Sequence, residues 1–275
     1  MLFKVKDKIV KARKKTSFPD IVGIFILLFV SLLLLGPASA YSAEQVSGKS
    51  IPFAPGEKLK YHGRWGAIEA GQITLEVLPM EIIDGVKAYH FAMITSTNEV
   101  VDLIYKIRER QDSYVDSGMT HSLLFKKKTE SKHPRDEMIV FNWKKQESTY
   151  TNFGETKPPQ HVLPGTFDTL ALIFAFRVHN IKENAEIAIP VTDGNKVSMI
   201  AKATIGKKTK VVINGKSYDT YEINPDMKRI GTATHHKESL YLKIWLTADE
   251  RKIPVMIHSK VGIITFVFEI VEVFP

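Results

Sequence analysis

The sequence predicts a mainly β, β-rich α+β fold: a curved antiparallel sheet or partly open β-barrel packed on one or two short helices. Three observations predict it. From Ile51 onward, short segments alternate apolar and polar residues. The dipeptides Asp84-Gly85, Asp193-Gly194 and Asn214-Gly215 each separate two such segments, and they supply the positive-φ residues of a tight hairpin turn. The segments also follow one another too closely for the helical crossovers of a parallel sheet.

In chain order, residues 1–17 hold seven lysines and arginines against Asp7. An uncharged apolar run, Ile21–Leu35, follows, and then Pro37-Ala38-Ser39-Ala40. Basic region, apolar region and small residues at an A-x-A site are the order of a secretory signal. Residues 1–40 are therefore expected to be a signal peptide cut before Tyr41, or an uncleaved N-terminal membrane anchor. Both place the body across the inner membrane, in the periplasm, since the positive arm stays inside. Membrane contact through residues 1–40 belongs to the uncleaved form. Residues 41–50 (YSAEQVSGKS) are small and polar and read as a flexible lead-in. Residues 51–275 read as a single β-rich domain.

The turn dipeptides are flanked by β-formers: LEVLPMEII and VKAYHFAMI, EIAIPV and KVSMIAKATI, KTKVVI and KSYDTYEI. Further strands are predicted at 57–65, 70–78, 107–116, 121–130, 136–143, 146–152, 240–247, 254–260 and 263–273. Two stretches depart from the pattern. Ser96–Tyr105 has Val100, Leu103 and Ile104 at helical spacing, with Ser96 or Thr97 to cap it. Thr166–Val178 follows Pro164-Gly165, can be capped by Thr166, and carries Asp168 in its first turn. Its apolar residues lie on most sides, which predicts burial against a sheet.

Composition narrows the function classes. There is no cysteine, which excludes disulfides, thiol catalysis, zinc–thiolate sites and a lipid-modified cysteine. The net charge of +8 belongs mostly to the leader, and only +3 remains beyond Ala40. A nucleic-acid partner is therefore not expected. No H-E-x-x-H or G-x-S-x-G is present. The closest histidine pair, His235-His236 near Glu238, would point to opposite faces of a strand. No catalytic residue, metal site or cofactor is assigned.

The candidate ligand-binding residues fall in three groups. Lys106, Arg108 and Arg110 alternate along one strand face, with Glu109 on the other. That face could meet lipid phosphates or acidic polysaccharide, or be a solvated face paired with Glu130, Asp136 or Glu137. Asp168 and Arg177 lie nine apart on the predicted helix, so they sit on different faces and cannot pair directly. Asp168 is either an acid–base group at a barrel mouth or a carboxylate stabilising a helix start. Phe174 and Trp245, with other aromatics of the strands and main helix, either line an apolar cavity or fill a core.

Four segments carry a family resemblance: PFAPGEKLKYHGRWGAIEAGQITLEV (52–77), VVDLIYKIRERQDSYVD (100–116), LPGTFDTLALIFAFR (163–177) and LYLKIWLTADERKIPVMIHSKVGIITFVFEIV (240–271). In this order they resemble the bacterial domain-of-unknown-function family 3108, over about residues 51–273. Gly56-Glu57, Gly71, Asp168 with Arg177, and Trp245, Asp249 and Pro254 are the most specific matches, and residues 179–239 match more loosely. The resemblance implies an exported envelope protein with a β-rich fold and supplies no catalytic residue. The expected function is non-catalytic binding of a lipid or other amphiphile, or of an envelope protein. The alternatives are a hydrolase or transferase acting on envelope glycan or lipid, and a scaffold that recruits a peptide strand to a sheet edge.

Overall fold

The computed structural model describes residues 50–194, 199–226, 241–261 and 264–275. The leader, almost all of the lead-in and the His235-His236-Glu238 group lie outside the described residues. The N-terminal half of the body is a meander: β1 (Lys58–Trp65), β2 (Ile68–Ile83), β3 (Val86–Thr97), helix α1 (Glu99–Tyr105), β4 (Ile107–Asp116), β5 (Ser122–Ser131), β6 (Arg135–Asn142) and β7 (Glu147–Asn152). Three two-residue strands follow: β8 (Glu155–Thr156), β9 (Gln160–His161) and β10 (Phe167–Asp168). After helix α2 (Ala171–Val178) comes a second meander, β11 (Glu186–Thr192), β12 (Met199–Ile213), β13 (Lys216–Pro225), β14 (Tyr241–Thr247), β15 (Pro254–Val261) and β16 (Ile264–Phe274).

One sheet of sixteen strands joins the two meanders, because the last strand, β16, pairs with the first, β1. The order runs from β10 through β11–β16 to β1–β8, with β9 on β7. Neighbours are antiparallel except β10 with β11. The sheet curls until its β10 edge meets β5, where Ser122 N–H donates to Thr166 O at 3.1 Å. Strands β6 and β7 continue past this junction and pack on Gly194, just after β11. A Cβ on Gly194 would lie 2.6 Å from Ile139 and 3.2 Å from Tyr150.

The strand alternation explains the core. Leu59 and Tyr61, Leu75 and Val77, and Phe91 and Met93 occupy alternate positions on their strands and are buried. Helix α2 packs against this inner face. Its Phe174 ring stacks on Phe91 at 3.8 Å between centroids and meets Phe53 edge-on at 5.4 Å.

Local structure follows the sequence except where long-range contacts intervene. Asp84-Gly85 and Asn214-Gly215 both take positive φ and close two-residue hairpins. Gly194 also takes positive φ, but Asp193-Gly194 does not close a two-residue hairpin, since β11 ends at Thr192 and β12 begins at Met199. Helix α1 is capped by Asn98, whose side chain accepts from Val101 N–H, rather than by Ser96 or Thr97. Val100 and Leu103 turn outward, 53% and 84% exposed, while Tyr105 of the same helix is buried. Helix α2 begins at Ala171, five residues later than expected, because Phe167-Asp168 is taken into the sheet beside Val191-Thr192. Thr166 does not cap it; its hydroxyl donates to Leu163 O at 2.7 Å.

Gly71 is the tightest backbone approach in the first hairpins. It lies opposite Thr97 on β3, with φ +155°, and a Cβ there would sit 2.1 Å from Ser96 O. Neither atom of that contact is a flexible side-chain end. Gly71→Ala is expected to lower stability by about 2 kcal/mol, from strain and overpacking. Gly66→Ala, where a Cβ meets nothing within 4 Å, is the matched control. Urea unfolding of the two variants measures the difference.

Candidate functional site

The residues singled out in the sequence fall into separate places. Arg108 and Arg110 do share the outer face of β4, but each is held by a carboxylate. Arg108 grips Asp102 of α1 through Nη2–Oδ2 at 2.6 Å and Nη1–Oδ1 at 3.1 Å. The hydrogen bond from Arg108 holds the Asp102 carboxyl below its ordinary range. Arg110 grips Asp112 through Nε and Nη2, at 2.8 and 2.6 Å. Lys106 is exposed and caps the end of α1, one residue before β4. On the same face, His90 of β3 lies between Glu81 at 2.7 Å and Asp112 at 2.8 Å and stacks on Tyr114. Burial pushes the Asp112 carboxyl up, but its bonds to His90 and Arg110 outweigh this and hold it low.

Asp168 is 0% exposed and occupies the junction where the curled sheet meets itself. Its Oδ2 accepts from the hydroxyls of Ser113 on β4 and Ser122 on β5, both at 2.6 Å. Its Oδ1 accepts from Leu170 N–H and Ala171 N–H, both at 2.9 Å, which serves the first turn of α2. Burial pushes this carboxyl up, against the four hydrogen bonds. Both oxygens are fully occupied in joining β10, β4, β5 and α2.

Arg177 is also 0% exposed and far from Asp168 in role. Its guanidinium meets Glu57 through Nη1–Oε1 at 2.6 Å and Nη2–Oε2 at 3.0 Å. It donates to Arg251 O as well, and lies over the Phe53 ring at 5.0 Å. Arg251 Nη2 reaches Glu57 Oε2 at 3.2 Å. Phe174 sits in the ring stack described above. Trp245 is buried in β14, its ring edge-on to His258 at 4.8 Å.

A different, polar cluster faces the inside of the sheet. Cross-strand register places Gln111, Lys127, Glu137 and Asn152 in one row across β4–β7. Glu109 and Thr129 form the next row toward the end of the barrel. Glu109, Gln111, Lys127 and Thr129 are all buried, on the same strand faces as the core residues Phe125, Ile139 and Tyr150. Glu109 accepts from Gln111 Nε2 and from Thr129 Oγ1, both at 2.6 Å. Glu137 accepts from Tyr150 Oη at 2.8 Å. The ammonium of Lys127, on a residue 5% exposed, has Glu109 Oε2 at 3.6 Å and Glu137 Oε2 at 3.8 Å. Those are ion-pair distances, longer than a hydrogen bond. The inner face of β4–β7 thus changes along the strands from aromatic and aliphatic to charged.

The model of the family described as protein of unknown function (DUF3108) matches residues 60–271. The chain belongs to this family. The comparison with curated proteins gives no match. A similar solved structure is the crystal structure of a β-barrel-like protein of domain of unknown function DUF1849 from Brucella abortus. It aligns with TM-score 0.51 and 10% identity over 80% of this chain and 97% of that one. That likeness concerns the fold alone, and it agrees with the curled, barrel-like sheet described here.

In this family member the charged inner cluster was only half legible. Alternation in β4 already puts Glu109 opposite to Arg108 and Arg110. The same alternation in Phe125-Lys126-Lys127-Lys128-Thr129 separates Lys127 from its neighbours and sends it to the side of Phe125. The run of three lysines hid that signal, because it reads as one basic patch. Among the described residues no group of histidine, aspartate and glutamate could hold a metal ion, and no helix is long and apolar enough to cross a membrane.

Proposed function

We propose that this protein is an exported, periplasmic binding protein whose curled sheet holds an amphiphilic molecule. The observation that carries the reading is the graded inner face of β4–β7. Phe125, Ile139 and Phe141 suit an apolar chain, while Glu109, Gln111, Lys127 and Glu137 suit a polar head. Such a surface is costly to build for stability alone. Lys127, a residue 5% exposed, has its two carboxylates at 3.6 and 3.8 Å, and loosely spaced charges in a largely buried place stabilise no better than an aliphatic side chain there. The basic leader, apolar run and Ala38-Ser39-Ala40 support export.

The test is chemical. The full-length chain is expressed with its own leader and purified gently from the envelope fraction. An organic extract of the pure protein is expected to contain one amphiphile, enriched over the extract of an unrelated exported protein prepared alongside. An extract indistinguishable from that control would refute the binding reading. Recovery of the protein only from the cytosol would refute export.

A further inference from the structure

The charged end of the inner face carries more information than polarity. Lys127 and Arg135 face Glu109 and Glu137, and Arg135 Nε lies 3.7 Å from Glu137 Oε1. Two cations meet two carboxylates, so the cluster is balanced. An anionic head group reaching Lys127 would lie within a few ångströms of both carboxylates, and a cationic one would meet the ammonium. A neutral group meets neither penalty.

The hydrogen-bonding capacity left over is of both kinds. Lys127 Nζ carries three donors, and its two carboxylate partners stand at 3.6 and 3.8 Å, beyond hydrogen-bond distance. Glu109 and Glu137 each accept short bonds from protein donors and retain lone pairs. A hydroxyl is a neutral group whose single oxygen can accept from an ammonium and donate to a carboxylate at once.

We infer that the cluster of Lys127, Glu109 and Glu137 is a subsite for a neutral, hydroxyl-rich head group of the sugar or glycerol kind. Lys127 donates to a ligand hydroxyl oxygen, and the two glutamates accept from ligand hydroxyls. The inference rests on the amphiphile reading and adds the class of head.

Three probes with one alkyl chain length separate the two claims: decyl glucoside, decanoate and decyltrimethylammonium. Each is titrated calorimetrically into the full-length protein below its micelle concentration. The glucoside is expected to bind about tenfold more tightly than either ion, the scale of one charge-assisted hydrogen bond. Lys127→Met is expected to weaken glucoside binding about tenfold, and, because it leaves the cluster net negative, to weaken decanoate too and favour decyltrimethylammonium. Glu137→Gln, which keeps an acceptor for Tyr150, is a second variant should Lys127→Met fail to fold. Near-ultraviolet circular dichroism checks that each variant is native. Decanoate binding as tightly as the glucoside, or glucoside binding untouched in both folded variants, overturns the head-group inference and leaves amphiphile binding standing. Failure of all three probes to bind overturns both.

Discussion

Arg177→Ala is expected to be among the most damaging single changes in the molecule, at about 3–5 kcal/mol of lost stability. The reason is what remains behind. Glu57 is buried, and its closest cation, at 2.6 and 3.0 Å, would be gone. Arg251 at 3.2 Å is the remaining partner, and its side chain is 44% exposed. The carbonyls of Arg251 and Pro52 would lose a donor too. For a chain of this size the loss corresponds to a fall in melting temperature on the order of 10 °C. Arg177→Lys should also destabilise, because an ammonium cannot make the paired contact to the carboxylate. Replacing both partners, with Arg177→Met and Glu57→Leu, should recover a large part of the loss, since no buried charge is then stranded. Urea unfolding of the two single variants and the double variant reads the coupling directly.

Asp168→Ala is expected to cost about 3 kcal/mol, again through stranded partners. Two amide N–H groups at the start of α2 and the hydroxyls of Ser113 and Ser122 lose their acceptor. Asp168→Asn should be much milder, because the amide oxygen can keep the two N–H bonds and the amide nitrogen can donate to the serine oxygens. The pH dependence has a definite sign. Burial raises the folded-state pKa of Asp168, so its stabilising contribution is complete below the ordinary aspartate pKa. It is lost as pH rises through the raised value. The Asp168→Asn variant lacks this titration. Its stability relative to the native protein should therefore improve as pH increases over that window, as measured by urea unfolding at a series of pH values.

These two residues also show how much the sequence revealed. Alternation and turn chemistry are local, and they placed the strands well: β4 is found at Ile107–Asp116, as the pattern predicts. Expectations failed where partners distant in sequence decided the outcome. The apolar run after Gly165 has helical spacing throughout, yet Phe167-Asp168 is drawn into the sheet by β11 and by serines 46 and 55 residues away. The bond between Glu57 and Arg177 spans 120 residues, and no local pattern encodes it. The outward turn of Val100 and Leu103 has a more local origin, a pair six residues apart. Asp102, on the same short helix, is pinned by Arg108, and this fixes which face of α1 meets the sheet. The inner charged cluster, by contrast, is built from one short hairpin, β4–β5, and the strand beside it. Its central residue, Lys127, could be read from strand alternation alone.

The central claim is that the inner face of the curled sheet holds one amphiphile. Native mass spectrometry of the full-length gene product, purified from the envelope without detergent exchange, tests it most directly. A single adduct, one per chain, that is released when the protein is unfolded is the expected result. An apo mass alone, from protein whose circular dichroism shows the native fold, would contradict it.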